Sequence, residues 1–140
     1  MDDLTRPPAS AGIVLCRRAL CDSDSGQHSL IDVLIDLAVP VCPGAVTFDL
    51  YLLLRRIGDG SNLVIEVFDR AGVVLSTGKL ALAAAPASVP GPPPPALGVV
   101  IPRITTVFTR PGYHWLRVRA GEHVLGEHGF VVVETGAQAA

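Results

Sequence analysis

The sequence predicts an all-β protein, a two-sheet antiparallel β-sandwich, with a closed or partly open β-barrel as the other way to arrange the same strands. Three observations lead there. Apolar residues recur with period two in one segment after another, Gly- and Pro-bearing turns separate the segments, and no stretch keeps a helical period for more than a turn.

Composition sets the bounds. The chain has 140 residues, 49% of them apolar and 17% charged. A domain of that length buries roughly two-thirds of its unfolded surface, and a chain so apolar folds rather than staying disordered. The formal net charge of −2 offers no field for nucleic acid or an acidic membrane, so neither is an expected partner. No apolar run reaches the roughly 18 residues of a membrane span. The start of the chain lacks the basic and apolar parts of a secretion signal, so the expected compartment is cytoplasmic. Lys79 is the only lysine among 11 basic residues, and this usage fits a GC-rich bacterial genome.

The organising segment is Val46 to Ile57. Val46, Phe48, Leu50, Leu52 and Leu54 occupy one face, and Thr47, Asp49, Tyr51, Leu53 and Arg55 the other. That pattern is one long strand with a core face and a wet face.

Residues 1–11 read as a flexible leader, because Arg6-Pro7-Pro8 cannot open a ladder. Gly12 to Ala19 is the first strand, and Asp22 to Gln27 is dense in turn formers. Ser29 to Val39 reads as a second strand, with Ile31, Val33, Ile35 and Leu37 on one side and Leu30, Asp32, Leu34 and Asp36 on the other. After the organising strand, Gly58 to Asn62 and Asp69 to Gly72 read as hairpin turns. The organising strand, Leu63 to Val67 and Val73 to Ala83 then make a meander of three antiparallel strands.

Residues 84–98 hold Pro86, Pro90 and the run Pro92 to Pro95, which favour polyproline II. This Pro-rich stretch reads as a connection between sheets rather than as a ligand for an SH3-like partner. Val99 to Thr109, Tyr113 to Ala120 and His123 to Glu134 bring the total to about eight strands, an immunoglobulin- or C2-like sandwich. Residues 12–134 form one domain, and residues 135–140 a frayed tail.

Few residues suggest chemistry. His114, His123 and His128, with Glu122 and Glu127, have no spacing that pins them on a metal, and His114 shares a face with Leu116 and Val118 as a core histidine would. Asp22, Asp24 and Gly26 open like a calcium loop but lack its later carboxylates and closing glutamate. Asp32 and Asp36, four residues apart on a strand, stand over ~13 Å apart and cannot act as a close acid–base pair. Cys16, Cys21 and Cys42 are an odd set, read as small buried hydrophobes rather than a redox pair. No nucleophile elbow or phosphate loop is present. The candidate binding surface is the outer face of the seventh strand, Tyr113, Trp115, Arg117 and Arg119, because aromatics and arginine dominate binding hot spots.

Several segments together resemble a known family: Leu15-Cys16, Cys21-Asp22, Ser29 to Leu34, the Asp69 to Gly72 hairpin, and Pro111 to Val118 before a last hairpin. They are similar to those of small bacterial β-sandwich proteins in a domain family of unknown function. The resemblance spans most of residues 12–133. It implies the sandwich fold and supplies no catalytic residues. His114 stands where that pattern more often has an aromatic residue, and the proline run is particular to this chain.

The expected function is a noncatalytic binding or assembly module acting through a protein partner or a homo-oligomer, with no catalytic residues, no cofactor and no metal. The alternative is a small-ligand or carbohydrate-binding domain that stacks its ligand on Trp115. A metal-dependent enzyme built on His114, His123 and His128 comes third.

Overall fold

The computed structural model describes residues 9–22, 24–57, 62–82 and 96–136. Nine strands run through them: β1 (Ser10–Cys21), β2 (His28–Val33), β3 (Asp36–Val39), β4 (Gly44–Arg55), β5 (Asn62–Asp69), β6 (Val74–Ala81), β7 (Ala96–Phe108), β8 (Gly112–Ala120) and β9 (His123–Glu134). They form two sheets, ordered β2-β1-β4-β7 and β3-β9-β8-β5-β6. The protein is an all-β, two-sheet β-sandwich. Its pairings are antiparallel apart from β3 against β9.

β4 is the spine of the core. Phe48, Leu50, Leu52 and Leu54 are fully buried, in one cluster with Leu63, Ile65 and Val67 of β5 and Leu116 and Val118 of β8. Alternation placed these faces correctly.

The expected meander is corrected in one link. β5 and β6 pair as a hairpin, but β4 lies in the other sheet. Both β4 and β5 present a wholly apolar face, and a sandwich sets two such faces against each other across its core. Local periodicity is silent about which strand becomes the neighbour. Of the loop read as the β4–β5 hairpin, residues 58–61 lie outside the described residues.

The second expected strand is corrected as well. It divides into β2, at the edge of the four-stranded sheet, and β3, at the edge of the five-stranded one. Asp32 stands at φ 53°, and the amide of Leu34 donates to the carbonyl of Leu15. The chain then changes layer. Leu37 and Val39 are buried, whereas Ile31 and Val33, read on the same side as Leu37, are exposed and Ile35 is 77% exposed.

The outer half of the β1–β2 ribbon bends back over its own sheet. Cys16 pairs with Asp49, so in a flat sheet Cys21 and its partner His28 would come level with Gly44, about 23 Å along the strand from Tyr51. Instead His28 Nδ1 meets the Tyr51 hydroxyl at 2.8 Å, and both side chains lie on Gly98 of β7. A bulge forms underneath. Phe48 pairs with Ile104 and Leu50 with Ile101, so Pro102 and Arg103 both oppose Asp49. Proline, which cannot donate to a ladder, is accommodated in such a bulge on an edge strand.

The ends differ from expectation by a few residues. β1 already begins at Ser10, and Ala9 and Ala11 pack on the core. Thr135 and Gly136 donate their amides to the carbonyls of Val39 and Pro40. The prolines at 86, 90 and 92–95 lie outside the described residues, as do residues 1–8 and 137–140. The strands flanking that connection, β6 and β7, belong to different sheets.

Candidate functional site

The five-stranded sheet places β8 between β9 and β5, so its outward side chains have neighbours on both sides. His114, Leu116 and Val118 point into the core, which turns Tyr113, Trp115, Arg117 and Arg119 outward. Register then decides what each one meets. Trp115 is opposite Phe68 on β5 and Gly129 on β9, and Arg117 is opposite Glu66 and Glu127.

The rings gather at one end of the row. The Trp115 indole lies nearly parallel to Phe68, with centroids 5.9 Å apart, and to Tyr113 at 6.2 Å. The Arg117 guanidinium sits over the Phe68 ring, 4.7 Å from its centre, while its Nε donates to Glu127 at 2.9 Å. Arg119 closes the other end. Its Nε donates to Glu66 at 2.8 Å and its Nη1 to the Gly121 carbonyl at 2.7 Å. Trp115 is half-buried by these neighbours, and Tyr113, at 57% exposure, is the ring left open to solvent. The row therefore presents flat apolar area that its neighbours hold in place.

Phe68 completes the surface and was missed by the sequence reading. Its signal was available, because Leu63, Ile65 and Val67 face inward and so Val64, Glu66 and Phe68 must face outward. Which strand would lie beside Phe68 was not available from alternation.

The histidines are not brought together. His114 is 1% exposed, and its Nδ1–H donates to the Gly112 carbonyl at 2.9 Å. Its ring stands edge-on to Phe108 and stacks on Phe130. His128 also stacks on Phe130, and burial pushes its pKa below the ordinary histidine value. The Nε2 atoms of both rings are buried without a partner. His123 is exposed at the start of β9. Among the described residues no group of three or more His, Cys, Asp or Glu side chains could hold a metal.

The remaining candidates have local structural roles. Asp22 accepts the Asp24 amide and the Ser25 hydroxyl, both at 3.0 Å, and so shapes the β1–β2 turn. Asp32 meets Arg17 at the surface, and Asp36 opens β3 in the other sheet. Cys16 is buried with its thiol pushed up in pKa, first by desolvation and then by Asp49, whereas Cys21 is exposed. A residue read as wet proves buried instead. Asp49 is 8% exposed and accepts the amides of Ala19 and Arg103, each at 2.9 Å.

No protein-family model matches the chain, and no curated protein matches it. Among solved structures it is similar to an immunoglobulin-like protein from Pseudomonas aeruginosa, at 15% identity and a TM-score of 0.36, over 91% of this chain and 94% of that one. Among the described residues no helix is long and apolar enough to cross a membrane.

Proposed function

We propose that the protein is a noncatalytic binding module that engages a protein partner or a second copy of itself through the outer face of the five-stranded sheet. One observation supports this above the others. Tyr113, Trp115 and Phe68 form a continuous ring surface, with Arg117 clamped over it, on a face whose edge ring is mostly exposed. A side chain held rigid before binding loses little conformational freedom on contact, and aromatic and arginine anchors of this kind dominate interfaces. The alternative, a sugar stacked on Trp115, has less support. Two rings already pack against that indole, and only Tyr113 has an open face.

Site-specific photo-cross-linking tests the reading. A photoreactive residue at position 113 gives a discrete adduct, one at exposed Gln27 gives none, and Trp115→Ala weakens the first. The adduct mass tells a second copy from another protein. Equal adducts from both positions, or none from position 113, overturn the proposal.

A further inference from the structure

We infer, resting on the reading of that face, that the cleft beside Tyr113 takes the carboxylate of an acidic side chain in an extended peptide segment of the partner. The cleft has a volume of about 250 Å³ and is lined by Asp69, Arg70, Arg110, Tyr113 and His114, between the β5–β6 turn and the entry to β8. Arg70 and Arg110 are exposed, and neither meets a carboxylate among the described residues. Arg117 and Arg119 on the adjoining face are each tied to a glutamate. The sheet therefore neutralises its own arginines along the row, and the turns at its end carry two that meet no carboxylate among the described residues.

Charge narrows the ligand. Among the described residues Asp69 contributes the one carboxylate of the cleft, and its Oδ1 is engaged by the amides of Ala71 and Val73, both at 2.9 Å. Two guanidinium groups against one carboxylate leave a single positive charge, which matches a singly charged carboxylate better than a doubly charged phosphate. His114 lines the same cleft. Its ring turns into the core, where the Nδ1–H is donated to the Gly112 carbonyl and the Nε2 is buried, so the cleft's charge is set by the two arginines and Asp69.

Spacing favours an extended segment. Tyr113 belongs to both the cleft and the ring row, and its centroid is 6.2 Å from that of Trp115. Side chains on one side of an extended peptide repeat every ~6.6 Å. An acidic residue in the cleft would therefore set the apolar residues two and four positions away over Tyr113 and Trp115.

The single tryptophan of the chain makes the test direct, because its fluorescence reports from the proposed surface. Two capped hexapeptides serve as probes, one with glutamate followed by phenylalanine at every second position and one with glutamine in place of glutamate. The glutamate peptide should bind about tenfold more tightly, the worth of hydrogen bonds to a charged group. Arg70→Ala/Arg110→Ala should abolish that preference with an unchanged melting temperature. Equal affinities for the two peptides overturn the inference while leaving the ring surface standing as a binding face. Displacement of the glutamate peptide by inorganic phosphate at lower concentration than by acetate also overturns it, in favour of a phosphate site. Binding of neither peptide overturns it too, and the cross-linking result then decides separately whether the face binds protein at all.

Discussion

The carboxylate of Asp49 accepts the backbone amide of Arg103 at 2.9 Å, and Arg103 stands at φ 57°, in the left-handed region that non-glycine residues rarely adopt. Its other oxygen accepts the amide of Ala19, where the β1–β2 ribbon has turned back over the sheet. One side chain therefore secures both the bulge in β7 and the folded ribbon. Asp49→Ala should cost about 2–3 kcal/mol, because two amides lose a charged acceptor under cover. Urea unfolding measures it, and an unchanged midpoint would remove Asp49 from this role.

Acid should weaken the same device. The amides of Arg103 and Ala19 hold the Asp49 carboxyl below its ordinary pKa. A folded value below the unfolded one means stability that is complete above the unfolded pKa, near 4, and lost as pH falls through the folded value. The wild type should therefore lose stability more steeply than Asp49→Asn as pH falls below about 4. Parallel curves for the two proteins would show that other carboxylates set the acid limit.

The fold was largely legible because β4 and β8 alternate without interruption, and alternation alone determines which side of a strand is buried. Asp49 was not legible for the same reason. Alternation placed it outward, correctly, but the ribbon that covers it arrives from thirty residues earlier in the chain. Ile31, Val33 and Ile35 failed in the opposite sense. Their period predicts a buried face, yet they lie where the chain leaves one sheet for the other. For the site, the four outward residues of β8 were readable, whereas their partners Phe68, Glu66 and Glu127 depend on strand order and register.

Gly98 tests the folded ribbon from its other side. A Cβ at this position would collide with the Tyr51 hydroxyl and the His28 ring, which rest on the bare backbone. The two rings are also tied to each other by a 2.8 Å contact, so an added methyl group displaces both. Gly98→Ala should destabilise by about 1–3 kcal/mol, as overpacking does. It should also speed amide exchange in β2 relative to β8. A variant with normal stability and unchanged exchange would mean that the ribbon is held by Asp49 alone.

His128 predicts a second pH dependence, nearer neutrality. Its Nε2 is buried without a partner, and burial lowers its pKa. Protonation therefore favours the unfolded chain, so stability is retained above the unfolded value of about 6.5 and falls as pH drops below it. His128→Phe keeps the stacking on Phe130 and removes the buried nitrogen. It should flatten the stability profile as pH falls below about 6.5 and raise stability above wild type by about 1 kcal/mol. A profile as steep as wild type would place the titration on another group.

Trp115 and Tyr113 separate structure from binding on the same face. Trp115 touches two rings and is half-buried, so Trp115→Ala removes apolar contact as well as a binding surface, at about 2 kcal/mol of stability. Tyr113 sits at the open end of the row, and truncating a side chain so exposed should change stability by no more than about 0.5 kcal/mol. A role confined to folding therefore predicts an effect at position 115 and none at 113. A binding face predicts that Tyr113→Ala melts like wild type and still loses affinity for the glutamate peptide, by tenfold or more if Tyr113 is an anchor. Melting temperature and peptide affinity measured on both variants decide between the two. If Tyr113→Ala matches wild type in both, the ring row is only the sheet's own packing.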